Sequence, residues 1–153
     1  LDKVTKNGQK VIRVVDYKTG TPLSTMPADI PEIFNPDNID TKHSSYYLQA
    51  FLYAGIIRRS SEALKTVNKD AYPVSPALLF TRSTTKTDYD PTLVLGTKKN
   101  GYNTIEDIDD WYEEFMGHLK SLISEIYNPE IVFSPTTDNK RCTNCPYNQI
   151  CGL

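Results

Sequence analysis

The densest run of apolar positions lies in "KVIRVVDYK", residues 10 to 18. Side chains alternate along a strand, so Ile12 and Val14 share one face with Asp16 and Lys18. Val11, Val15 and Tyr17 share the other face with Arg13. Both faces are largely apolar before Asp16, which predicts a central strand covered on both sides. "LDKVT" precedes it across Asn7-Gly8, the strongest two-residue hairpin signal, so residues 1 to 18 read as a β-hairpin. Residues 19 to 40 carry four prolines among turn residues and read as a long excursion with little regular structure. "SSYYLQAFLYAGIIRR" then has the pattern of a helix, with Asp40 or Thr41 as its cap. "SPALLFT" and "TLVLGT" are apolar runs of strand length, separated by a polar loop. Thr104 with Asp107 has the spacing of a capping box and opens an amphipathic pattern, "IEDIDDWYEEFMGHLKSLISEIY", that Asn128-Pro129 stops. In it Trp111, Phe115, Leu119 and Leu122 recur at helical spacing as a core stripe. The order strand, strand, helix, strand, strand, helix, tail predicts one α/β domain built on a mixed sheet.

Composition changes this picture little. The 153 residues, 39% hydrophobic and 24% charged, suit a single globular domain with a real core. The net charge of −2 does not advertise a nucleic-acid binder, although clustering matters more than the sum. No run approaches a transmembrane span, so no membrane partner is expected. Cys142, Cys145 and Cys151 all lie near one end, a poor disulfide framework that suits a reducing, cytoplasmic setting and a bound metal or cluster.

The charged end of the "VVDYKTG" strand raises the chemical question. Three Asp-x-Lys pairs occur, against roughly 1.5 expected by chance at this composition. Asp40-Thr41-Lys42 reads as a helix cap and Asp138-Asn139-Lys140 as a solvated turn. Asp16-Tyr17-Lys18 differs because it ends a buried-looking strand, where charges are costly unless paired or bound to a cation. One reading is a structural ion pair. In the other, each group has a chemical role. Asp16 binds a divalent cation through hard oxygen, the Tyr17 backbone carbonyl joins it, and Lys18 stabilises charge on a phosphate or polarises the attacking water.

These residues carry a resemblance. "VVDYKTG" after an Asn-Gly hairpin resembles the core motif of the PD-(D/E)XK nucleases, in their RecB/AddB-like branch. "YYLQAFLYA" is similar to that branch's Q-x-x-x-Y motif, with Gln49 and Tyr53 four apart on one helical face. The resemblance implies a restriction-endonuclease-like sheet flanked by helices and Mg²⁺ (or Mn²⁺)-dependent hydrolysis of DNA phosphodiesters. It further implies catalytic roles for Asp16, Lys18, Gln49 and Tyr53, and a parent recombination or repair protein associated with a helicase or helicase–nuclease subunit. The alternative is a degenerate nuclease-fold scaffold that binds DNA or a helicase partner without catalysis.

Cys142-x2-Cys145-x5-Cys151 is a chelating pattern for zinc or an iron–sulfur cluster. The same spacing ends the nuclease domain of AddB-like proteins, which implies a structural [4Fe–4S] cluster completed by a fourth, upstream cysteine. On this reading residues 134 to 153 form a cysteine-bearing tail, and residues 1 to 153 are the C-terminal part of one nuclease domain. The family's first helix and fourth cysteine would then precede Leu1.

The family site also needs a second acid. With a two-residue turn at Asn7-Gly8, Lys6 faces Gln9, Val4 faces Val11 and Asp2 faces Arg13. Opposed residues point to the same side, so Asp2 should pair with Arg13 away from Asp16. The expected acid falls two positions before Leu1, which would leave this stretch inactive alone. Arg58 and Arg59 read as a solvated helix end, Lys98-Lys99 as a hairpin tip, and His43 and His118 as surface or capping residues.

Overall fold

The structure is a computed structural model. It describes all residues except Pro22, Leu23, Lys86, Ser134, Pro135, Thr137, Asp138, Asn144 and Leu153, and the side chain of Asn139. The third Asp-x-Lys pair therefore falls partly outside the described residues. Two units are distinguished, Leu1–Leu122 and Ile123–Leu153.

The first unit is a mixed α/β structure. Strands β1 (Asp2–Lys6) and β2 (Gln9–Lys18) form the expected hairpin. Asn7 and Gly8 have φ of 49° and 79°, the left-handed pair that a tight hairpin turn demands. The register pairs Asp2 with Arg13, Val4 with Val11 and Lys6 with Gln9. Strand β3 (Val74–Phe80) runs parallel to β2, pairing Asp16 with Leu78 and Lys18 with Phe80. β2 is thus the central strand of a three-stranded sheet. The outer edge of β3 is covered by the segment around Thr92, where Leu78 donates to the Pro91 carbonyl and Leu93 to that of Pro76. β4 (Val94–Thr97) and β5 (Gly101–Thr104) make a separate hairpin whose tip holds Lys98 and Lys99.

A parallel pair needs a long crossover, and the segment between β2 and β3 supplies it. It holds α1 (Ile30–Ile33), α2 (Asn38–Thr41), α3 (Ser44–Arg59) and α4 (Ser61–Thr66). The proline-rich excursion is therefore more regular than expected. Asp29 caps α1 by accepting from the Glu32 N–H, and Pro31 sits in the first turn, where a missing N–H costs nothing. Neither Asp40 nor Thr41 caps α3, because both lie inside α2, and the Thr41 hydroxyl bonds back to the Asp37 carbonyl. The position before α3 is taken by His43, in a left-handed conformation and without a side-chain cap bond.

α3 lies across β2 and β3 on the face of the even-numbered residues. Ile12, Val14, Val74, Leu78 and Phe80 from the sheet meet Tyr47, Ala50, Phe51 and Ala54 from α3. The last helix, α5 (Asp109–Ile126), adds Phe115, whose ring lies 5.1 Å from that of Phe51. Gly55 lets α5 approach: a Cβ there would come within 2.8 Å of the Tyr112 ring. α5 begins later than the expected capping box. Thr104 is committed to the β5 ladder opposite Val94, and Asp107 does the capping, accepting from the Asp109 N–H. Arg58 and Arg59 are not merely solvated. They pair with Asp107, Asp109 and Glu113 and tie the end of α3 to the start of α5. His118 stacks on Phe34.

The far face of β2 is less covered than expected. Val11 is buried and Val15 half-buried, but Tyr17 stands 68% exposed where the strand ends. In the second unit a short helix, α6 (Asn139–Thr143), leads into turns around Cys145 and Cys151. No helix among the described residues is long and apolar enough to cross a membrane.

Candidate active site at the end of the central strand

Asp16 and Lys18 close β2, on the face that α3 covers. Strand parity puts both on one side, and the sheet fixes their backbones through pairing with Leu78 and Phe80. Their side chains are only 18% and 15% exposed. The Lys18 ammonium lies 2.8 Å from Asp16 Oδ2 and donates to Gln49 Oε1 at 3.1 Å. Gln49 Nε2 in turn donates to the Tyr53 hydroxyl at 2.9 Å. A continuous chain thus runs from the strand end along one face of α3. The spacing of four residues between Gln49 and Tyr53 is what makes the last link possible. Tyr53 is 45% exposed, so the chain ends at solvent.

α3 is held in place from its inner side. Tyr47 donates its hydroxyl to the Val94 carbonyl at 3.0 Å, and burial pushes its phenol pKa above the ordinary range. That anchor fixes the rotation of the helix about its axis and so keeps Gln49 pointed at Lys18.

Asp16 holds the feature that bears on a metal. Its Oδ2 is buried and accepts no hydrogen bond, because the nearby ammonium lies off the hydrogen-bonding directions. Buried carboxylate oxygens are normally hydrogen-bonded, and this one, with only the ammonium beside it, keeps the lone-pair capacity of a hard-oxygen ligand. The donor chemistry fits Mg²⁺. Among the described residues, however, no three His, Cys, Asp or Glu side chains are grouped to hold a metal ion.

Asp2 does not supply the second acid. Its Oδ2 lies 2.8 Å from Arg13 Nη2, on the face away from Asp16, as the hairpin register requires. Sequence reasoning missed Tyr46, whose ring centroid is 4.2 Å from Lys18 Nζ. His43 stacks on that ring at 5.1 Å. Part of the signal was present: Tyr46, Gln49 and Tyr53 are three and four apart and share one helical face.

Cys142 ends in the last turn of α6, and the Cys145 N–H bonds the Cys142 carbonyl at 3.1 Å. Cys145 Sγ accepts from the Tyr147 N–H at 3.4 Å, a contact of the type that tunes metal-bound sulfur. The three cysteines are free thiols and do not converge as three ligands.

No curated protein and no solved structure matches the chain. A family model does, that of the PD-(D/E)XK nuclease superfamily, over residues 1–152. The match spans nearly the whole chain, sheet and helices included, and the chain belongs to the PD-(D/E)XK nuclease superfamily.

Proposed function

We propose that this chain carries the Asp-x-Lys half of a Mg²⁺-dependent DNA nuclease site, in an exonuclease module of the RecB/AddB-like kind. The observation that carries the reading is the placement of the Lys18 ammonium. It is held between Asp16 and Gln49, and Gln49 is held by Tyr53. A merely structural ion pair needs no such relay to the surface.

Asp16 and the Tyr17 backbone carbonyl would hold Mg²⁺ (or Mn²⁺). The bound ion supplies Lewis-acid stabilisation of a phosphate oxygen and a water of lowered pKa. The chain's own residues do the rest. Lys18 offers its remaining proton to the charge that develops on the phosphate or to the attacking water. Gln49 Oε1 shares the ammonium with Asp16 and orients it. The Tyr53 hydroxyl accepts from Gln49, which orients the amide and leaves its own proton for a DNA phosphate oxygen. A rigid strand and an anchored helix give the precision such positioning needs.

The cysteine spacing and the Tyr147 N–H on Cys145 support a thiolate site in the second unit, proposed as part of a [4Fe–4S] cluster. A helicase or helicase–nuclease subunit is the proposed partner.

The test is degradation of linear single- and double-stranded DNA by the full-length protein, with and without Mg²⁺. Hydrolysis that needs Mg²⁺ and disappears in Lys18→Ala is expected. Equal activity of wild type and Lys18→Ala would overturn the reading. Metal analysis of the same anaerobic preparation should find iron; stoichiometric zinc without iron would replace the cluster by a zinc site.

A further inference from the structure

We propose that Tyr46 is a positioning residue for Lys18, holding the ammonium by its ring face so that the lysine stays available to the reaction. The inference rests on the nuclease reading for its consequence in rate, but the contact itself can be tested without it.

Among the described residues the Lys18 ammonium has neighbours of three kinds. Asp16 Oδ2 is a charge at 2.8 Å, Gln49 Oε1 a neutral acceptor at 3.1 Å, and the Tyr46 ring a π face with its centroid at 4.2 Å. The hydrogen bond goes to Gln49, and Asp16 Oδ2 is in ion-pair contact with the ammonium without accepting a hydrogen bond from it. Two groups besides the opposite charge orient the ammonium. Gln49 does so along one direction and the Tyr46 ring along another.

A π face suits this role better than a second carboxylate. A cation over an aromatic ring is attracted by the quadrupole without any formal charge being added. A carboxylate at the same place would repel a phosphodiester anion and compete for the lysine's protons. An aliphatic side chain would fill the space but not orient the ammonium.

The ring is itself held. His43 stacks on Tyr46 at 5.1 Å with the planes 15° apart. His43 has a φ of 51°, a left-handed conformation that is uncommon for a residue other than glycine. That unusual backbone stands immediately before α3 and carries the ring that backs Tyr46. Tyr46, Gln49 and Tyr53 thus form one stripe along α3, with His43 stacked at its head. His43 and Tyr46 set the π wall, and Gln49 and Tyr53 the polar relay.

The experiment compares Tyr46→Phe, which keeps the ring, with Tyr46→Leu, which keeps bulk alone, in the full-length protein. Lysine labelled at Cε gives the contact directly. The Lys18 ε-methylene protons should resonate upfield in wild type and Tyr46→Phe, from the ring current, and return to the ordinary lysine position in Tyr46→Leu. Lys18→Ala assigns the signal. In Mg²⁺-dependent DNA hydrolysis, Tyr46→Leu should lower kcat by about 2- to 30-fold, with KM unchanged and Tyr46→Phe close to wild type. An unshifted Lys18 signal in wild type would overturn the proposal. So would equal loss of kcat in Tyr46→Phe and Tyr46→Leu, which would assign the effect to the hydroxyl. If wild type hydrolyses DNA no faster than Lys18→Ala, the nuclease reading fails, and the Lys18 resonance still decides whether Tyr46 holds the lysine.

Discussion

The two faces of β2 each carry a cluster of opposite charges, and the clusters are built differently. On the far face Arg13 pairs with Asp2 and Asp90, while Lys6 pairs with Asp90 and Glu106. The cations there are tucked in, but all three acids are about half exposed. Water finishes what the protein leaves undone. On the near face Asp16 and Lys18 are both less than one-fifth exposed, and one carboxylate oxygen has no hydrogen bond at all. The far cluster carries its own orphan, Arg13 Nε, yet that guanidinium has two further nitrogens paired with acids. Opposite charges that ring a sheet edge are an ordinary way of solvating it. Opposite charges shielded from water, with an amide steering the lysine, are not explained by solvation of an edge.

That contrast can be broken by exchanging which face is disturbed. The largest effect should come from Lys18→Ala, which should lower Mg²⁺-dependent DNA hydrolysis by about 10²–10³ while circular dichroism stays that of the wild type. Near-normal activity would reduce the near-face cluster to the same structural status as the far one. Gln49→Leu removes the acceptor that holds the ammonium and the donor to Tyr53, and should cost about 10²-fold in kcat, the low end of what misplaced charge stabilisation loses. An unchanged rate in that variant would detach α3 from the chemistry.

The far face should respond in stability alone. Arg13→Met should cost about 1 kcal/mol, the upper range for partly exposed ion pairs, seen as a lower denaturation midpoint with hydrolysis intact. Asp2→Asn should leave hydrolysis unchanged, and a loss matching Lys18→Ala would move Asp2 into the site.

The smallest effect is a pH dependence at Asp90. Burial raises its pKa, but hydrogen bonds from the Thr92 hydroxyl and N–H and from Lys6 together outweigh this and hold it below the ordinary 3.8. A depressed folded-state pKa means that the ionised group stabilises the fold fully above 3.8, and the contribution is lost as pH falls through the folded-state value. Asp90→Asn should therefore be slightly less stable than wild type at neutral pH, and the gap should close in acid. Denaturant titrations at both pH values check it, and a gap that widens in acid would reverse the sign.

Local chemistry was legible where neighbours in sequence decide the outcome. Asn7-Gly8 demanded a hairpin, and a two-residue turn fixed the register that sends Asp2 to Arg13. The Gln49–Tyr53 spacing required one helical face. Where tertiary contacts compete with local signals, sequence reading failed. The Thr104–Asp107 capping box dissolved because Thr104 was needed as a partner for Val94, and Asp107 also accepts from the Val74 N–H, far away in the chain. Asp40 and Thr41 lost the cap of α3 to a turn of helix of their own.

The sequence by itself determined which residues share a face: the alternation of β2 joins Asp16 to Lys18, and the helical period joins Tyr46, Gln49 and Tyr53. Which two faces meet was decided only by the tertiary structure. Residues about thirty positions apart were brought within hydrogen-bond reach because α3 must bury Tyr47, Ala50, Phe51 and Ala54 against Ile12, Val14 and Leu78. Burial of apolar area is not directional, so no pattern in the chain states it. The polar stripe at the rim of that contact is carried to Lys18 by the packing beneath it.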